Sequence, residues 1–399
     1  VAQLALACQT PKDEATNDQK QPIIGGFDAV NAALDHTGLL VALDPVSKAM
    51  EPVCTVTLLS AETVVTAKHC AEVLYYIPSG WKFAVALGAN AETPEEVIEV
   101  VAVDVASPYS GGFSGLGSDV AIMHLDVPSG YAGSFPVPRP SSELAEGRSM
   151  VTLGYGVFGA SGTFDMQRRI GRERVEATSG LALEIIFGDF ESFVEWVFTG
   201  QVTDEDIFDS IDEDDPFVAL LLEEYESIYL LDDYEAVTGL APRDTQSCYG
   251  DSGSPLLRLT REGVWETYGV VSGGFNSLRS VCDFGTVFST FGPEALAFVQ
   301  EGLQWEDPCG DVPTSGICDG NIATTCTTDV LEGIREVDTQ DCEATGEQCF
   351  NSSLGALCGT PGVPQATGIA AEPIPDGLIE RLVREAYIRQ LNVKPRWER

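Results

Sequence analysis

Basic residues are scarce in this chain. Twenty-two Lys and Arg stand against 62 Asp and Glu in 399 residues, a formal net charge of −40. Such a field repels nucleic-acid phosphates and anionic membranes, so no nucleic-acid partner is expected. The excess acid serves solubility or adaptation to salt, and the same field would attract basic substrates. Long hydrophobic runs are also missing. Hydrophobic residues make up 44% of the chain, enough for a sizeable core, yet no run approaches the ~18 residues of a transmembrane helix. Histidine occurs only at His36, His69 and His124. None of the eleven cysteines forms a Cys-x-x-Cys pair, which argues for disulfides in an oxidising compartment and against zinc. No metal and no cofactor is expected.

The chain divides by composition. Val1–Ala7 is a small apolar run ending at Cys8, read as the remnant of a signal peptide. Leu4-Ala5-Leu6-Ala7-Cys8 resembles a bacterial lipoprotein signal, which implies a lipid anchor at Cys8. The protein would then be secreted or held in a bacterial cell envelope, as an outer-membrane lipoprotein for example. An ordinary secretory peptide with an incidental cysteine is the alternative. Residues 9–22 are polar and unpatterned, a linker.

From Ile23 to Leu303 short apolar runs recur between Gly, Pro, Ser and Asn. Leu39–Leu43, Thr55–Leu59, Phe83–Leu87, Val97–Val105, Val120–Leu125 and Tyr268–Val271 predict many short strands, hence an all-β sandwich or barrel. Val175–Pro242 interrupts this pattern with nineteen acidic residues and no Lys or Arg. Phe217–Tyr234 spaces apolar residues helically, so the stretch of about 175–242 is expected to be a largely helical acidic insertion. It lacks the Gly and the spacing of a calcium loop, and its acids read as a solvated face. Residues 304–360 hold six cysteines and little apolar material, which predicts a small disulfide-stapled module whose pairing spacing leaves open. Residues 361–399 are a linker and a tail with a short helix starting near Asp376.

Hydrolysis by a serine needs a hydroxyl, a base, a group that holds the base in one tautomer, and N–H donors for the oxyanion. His69 ends an apolar run in TAKHC (66–70). Asp119 opens DVAIMHL (119–125), and Ser252 lies in CYGDSGSP (248–255). These segments resemble the TAAHC, DIALLKL and C-x-GDSGGP motifs of the trypsin/chymotrypsin family of serine proteases. IIGG (23–26), GYG (154–156) and VVSGG (270–274) are similar to further segments of that family, in the same order. The resemblance spans 23–303.

It implies a double antiparallel β-barrel carrying the acidic insertion and followed by the cysteine module. The activity it implies is endopeptidase action on protein or peptide substrates through an acyl-enzyme. Position by position, His69 is the base, Asp119 its orienting acid and Ser252 the nucleophile. Gly250 and Ser252 supply the oxyanion hole. Cys54 pairs with Cys70, and Cys248 with Cys282. The amine of Ile23, freed by cleavage, pairs with Asp251. Gln246 forms the pocket floor, with Ser272, Gly274 and Thr286 on its walls. The roles of His69, Asp119 and Ser252 are those the resemblance implies for the family's catalytic triad.

This chain departs from the family at several points. Ser254 replaces the second glycine of GDSGG. Pro22 precedes Ile23, so a protease unlike trypsin is expected to activate the enzyme, and its identity is unknown. A neutral Gln246 leaves a buried cationic side chain without a partner, and Thr286 narrows the pocket. Small to medium neutral residues are therefore expected at P1, the residue on the acyl side of the cleaved bond, rather than Arg or Lys. A helical overhang above the pocket would gate access or select basic residues away from P1. His124 is expected on the surface or half-buried. The competing reading is a protease-like binding protein whose triad is never assembled. Asn351-Ser352-Ser353 is a sequon that matters only in a eukaryotic secretory host.

Overall fold

The computed structural model describes residues 23, 26–44, 46–78, 80–106, 118–156, 164–199, 216–241, 244–274, 285–330, 333–352 and 355–360. Twelve strands build two antiparallel barrels. The first contains β1 (Thr37–Leu43), β2 (Met50–Leu58), β3 (Thr63–Thr66), β4 (Lys82–Leu87), β5 (Glu96–Val105) and β6 (Ala121–Leu125). They close in the order β1-β2-β3-β6-β5-β4. The second contains β7 (Ser149–Gly154), β8 (Arg169–Ala177), β9 (Glu235–Thr238), β10 (Pro255–Leu259), β11 (Trp265–Gly274) and β12 (Thr286–Thr290). Its order β8-β9-β12-β11-β10-β7 is closed by the pairing of β7 with β8. Short strands Phe27–Asp28 and Val137–Pro138 add to β8 and β11.

Period-two patterning sets these faces. In β8, positions 169, 171, 173, 175 and 177 are buried while Arg172 and Arg174 face solvent. β1 is buried on both sides. Leu40 and Ala42 fill the first barrel, whereas Leu39, Val41 and Leu43 pack with Tyr155 at the junction with the second. Burying each such aliphatic side chain is worth about 1.5–3 kcal/mol. The Tyr155 hydroxyl donates across the junction to Gly88 O at 2.6 Å and Thr37 O at 3.1 Å.

The acidic stretch is helical at α2 (Ala182–Phe187), α3 (Phe190–Thr199) and α4 (Pro216–Ser227), where α1 is the short helix Lys68–Glu72. Its two ends differ from the sequence reading. Val175–Ala177 and Glu235–Thr238 are barrel strands: Val175 and Ala177 continue the period-two buried face of β8, and all four residues of Glu235–Thr238 are buried in its neighbour β9. Phe193, Val194, Leu221 and Tyr225 pack on Val237 and Val287 of β9 and β12. The described helices are thus docked on strands β9 and β12 of the second barrel through a shared apolar cluster. Residues 200–215, where the acid is densest, lie outside the described residues.

Helix α5 (Pro293–Gly302) packs Ala295 and Val299 into the first barrel. The module that follows holds a three-stranded sheet of β13 (Ile317–Asp319), β14 (Ile322–Asp329) and β15 (Ile334–Asp341), and a ribbon of β16 (Gln348–Ser352) and β17 (Gly355–Gly359). Disulfides 309–326, 318–349 and 342–358 pair all six of its cysteines. His124 is fully buried, contrary to the sequence reading. Trp305, on the chain leading to the module, stacks on its ring at 4.2 Å. The tail helix and Cys8 lie outside the described residues.

Candidate active site

His69 sits in α1, directly after β3, and Asp119 just before β6, the neighbour of β3. Their ladder brings the two side chains together. His69 Nδ1 lies 2.8 Å from Asp119 Oδ2, and the His69 backbone N–H donates to Oδ1 at 3.0 Å. Ser272 Oγ donates to the same Oδ2 at 2.6 Å, and the Asp119 N–H is accepted by Ser289 Oγ at 3.0 Å. Complete burial would raise the Asp119 pKa. The charge of His69 and the hydrogen bonds from His69 and Ser272 outweigh it and hold the carboxyl below its ordinary range. An ionised carboxylate only accepts, so the imidazole proton belongs on Nδ1 and the basic lone pair on Nε2.

Ser252 lies in the tight turn before β10. Asp251 N donates to Cys248 O and Ser254 N to Asp251 O, at 2.9 and 2.8 Å. The turn is pressed against the strand that delivers His69. A Cβ on Gly253 would stand 2.1 Å from Thr66 Oγ1 and 2.2 Å from Thr55 O, and its φ of +83° also demands glycine. Gly250 has φ +92°. Thr55 binds the turn from β2. Its N–H donates to Ser252 O at 2.8 Å and its Oγ1 to Gly250 O at 2.9 Å, while Oγ1 accepts the Tyr155 N–H at 3.3 Å. Among the described residues, no hydrogen bond occupies the N–H of Gly250 or Ser252.

The remaining expected site residues lie around this turn. Ser247 N donates to Thr286 Oγ1 at 3.0 Å, Gly274 pairs with Thr286 across β11 and β12, and Gln246 Nε2 donates to Gly239 O at 3.4 Å. Ser272, expected on the pocket wall, turns its hydroxyl to Asp119. Cys54–Cys70 is a disulfide with Cα atoms 6.1 Å apart, and this bond keeps both sulfurs beside His69 from serving as thiolate ligands. Cys248 is disulfide-bonded, and Cys282, its expected partner, lies outside the described residues.

Residues 23–175 match the family model described as Trypsin. The chain carries a trypsin-family serine protease domain. The matched residues include His69 and Asp119 and end within β8, so the position of Ser252 rests on the fold. No curated protein matches the chain.

In this protease domain Asp251 is fully buried, and desolvation pushes its pKa up to about 7. N–H groups of Cys248, Gly156 and Ile23 and the charge of Arg169 offset only part of that burial. Ile23 is itself fully buried, at φ +48°, a strained value for a β-branched residue. Sequence reasoning missed Thr55, Ser289 and a further buried carboxyl, Glu173. A threonine in an apolar strand or a glutamate in an alternating one carries no signal of its own.

Proposed function

We propose that this chain is a serine endopeptidase in which Ser252 attacks the peptide carbonyl and His69 takes the hydroxyl proton through Nε2. The same imidazolium then protonates the leaving amine, which departs as the acyl-enzyme forms. Water repeats the sequence and frees the carboxyl product. Asp119 holds the tautomer and stabilises the imidazolium, and the N–H groups of Gly250 and Ser252 receive the oxyanion. The observation that carries this reading is the 2.8 Å contact between His69 Nδ1 and the buried Asp119 carboxylate, beside a turn whose serine is tied to the neighbouring strand.

Activation follows from Asp251. Cleavage before Ile23 would replace a neutral amide with an ammonium at a buried carboxyl that lacks full compensation. The neutral Gln246 and the branched Thr286 support small to medium neutral P1 residues. Four described disulfides support secretion or export to a cell envelope.

The test is labelling by a fluorophosphonate, before and after removal of residues 1–22. Labelling that disappears in Ser252→Ala is the expected result. No labelling of either form would instead leave a protease-like binding protein.

A further inference from the structure

Glu173 is a buried acid with no part in the mechanism above. It points from β8 into the second barrel, in register with Gly171 and Val175, and is wholly shielded from solvent. Its partners are hydroxyls. Thr238 Oγ1 donates to Oε2, and Ser247 Oγ lies 3.5 Å from Oε1. Ser247 adjoins Gln246 and donates its N–H to Thr286 Oγ1. The carboxyl therefore backs the floor on which a P1 side chain would end, one hydroxyl away.

We propose that Glu173 sets which P1 side chains the pocket accepts, acting through the hydroxyl of Ser247: ionised, it admits a cationic residue, and neutral, it restricts the pocket to uncharged ones. The inference rests on the endopeptidase reading and deepens it. A neutral Glu173 donates its proton to Ser247 Oγ, so the Ser247 O–H turns outward as a donor and repels an ammonium group. An ionised Glu173 draws the Ser247 O–H inward. The lone pairs of Oγ and the negative charge behind it then face the pocket.

The acidic groups acting on Glu173 are Asp251 of the nucleophile turn and Asp244 of the preceding loop, both of which disfavour its charge. Asp251 in turn feels Arg169 of β8. Burial is the largest influence on Glu173 and, with these neighbours, raises its pKa to about 8. The change of state accordingly falls within a range in which enzymes can be assayed.

The experiment compares kcat/KM for matched peptides with Lys or norleucine at P1, from pH 6 to 9, in the activated full chain. Any pH effect common to both peptides cancels in the Lys-to-norleucine ratio. The ratio is expected to rise about tenfold or more in the wild type, following one ionisation, and to stay low and flat in Glu173→Gln. A flat ratio in the wild type, or an equal rise in Glu173→Gln, would overturn the proposal. Ser247→Ala serves as a second variant, since it leaves the carboxyl in place. Its ratio is expected to flatten, and an unchanged rise would remove Ser247 from the argument. Wild-type labelling by the fluorophosphonate with a flat ratio would sink this inference alone. Absence of both labelling and hydrolysis would sink the endopeptidase reading, and this inference with it.

Discussion

Thr55 shows how a single side chain can join two barrels and a loop. Its backbone and hydroxyl reach Ser252, Gly250 and Tyr155, three positions distant in sequence. Thr55→Val keeps the shape and removes the hydroxyl, leaving a carbonyl and an N–H without their partner at about 1–3 kcal/mol of strain on the turn. The expected result is a roughly tenfold loss in fluorophosphonate labelling rate, measured against unchanged folding by circular dichroism. Glu173 and Asp251 titrate at the same scale. Their folded pKa values, about 8 and about 7, lie above the ordinary 4.5 and 3.8. Between those limits the folded chain holds more protons than the unfolded one, so their contribution to stability is complete at acid pH and is lost as pH rises toward 8. Urea midpoints of the uncleaved chain are expected to fall from pH 5 to pH 8, and to fall less in Glu173→Gln.

At the scale of elements, the acidic helices act as an outer layer of the second barrel. Phe187, Phe193, Trp196 and Tyr225 form an aromatic cluster that closes over Val237 and Val287. The helical spacing of apolar residues in Phe217–Tyr234, with acids between them, predicted a helical insertion. That spacing carried no information about the insertion's partner, because an amphipathic face is compatible with any apolar surface. Phe193→Ala should cost about 3–5 kcal/mol. The thermal midpoint is expected to fall cooperatively for the whole protease domain in calorimetry. A separate low-temperature transition for the helices would instead show an independent lid.

Across the whole molecule, one buried arginine fixes the C-terminal module to the first barrel. Arg335 grips Asp307 through Nε and Nη2, at 2.6 and 2.5 Å, and its Nη2 reaches Asp126 just after β6 at 3.3 Å. Thr314 donates to the same Asp126 from its N–H and its hydroxyl. Removing one partner of a buried pair costs about 3–5 kcal/mol, because the remaining charge has no compensation. Arg335→Ala is expected to release the module, read as faster limited proteolysis between Leu303 and Thr314. Labelling of Ser252 should persist, since His69, Asp119 and Ser252 all lie outside the module.

The sequence by itself determined the family resemblance and the strand-rich fold class. The segments around His69, Asp119 and Ser252 each carry a local pattern, and short apolar runs broken by Gly, Pro, Ser and Asn predicted the strands that form two barrels. Local spacing suffices there because strand faces and tight turns are set by neighbouring residues. Tertiary structure alone decided what depends on residues far apart in the chain. It turned the Ser272 hydroxyl to Asp119, buried His124 under Trp305, and paired the six cysteines of the module. It also set Glu173 behind Ser247, where desolvation, invisible in the order of residues, shifts a common carboxyl into the neutral range.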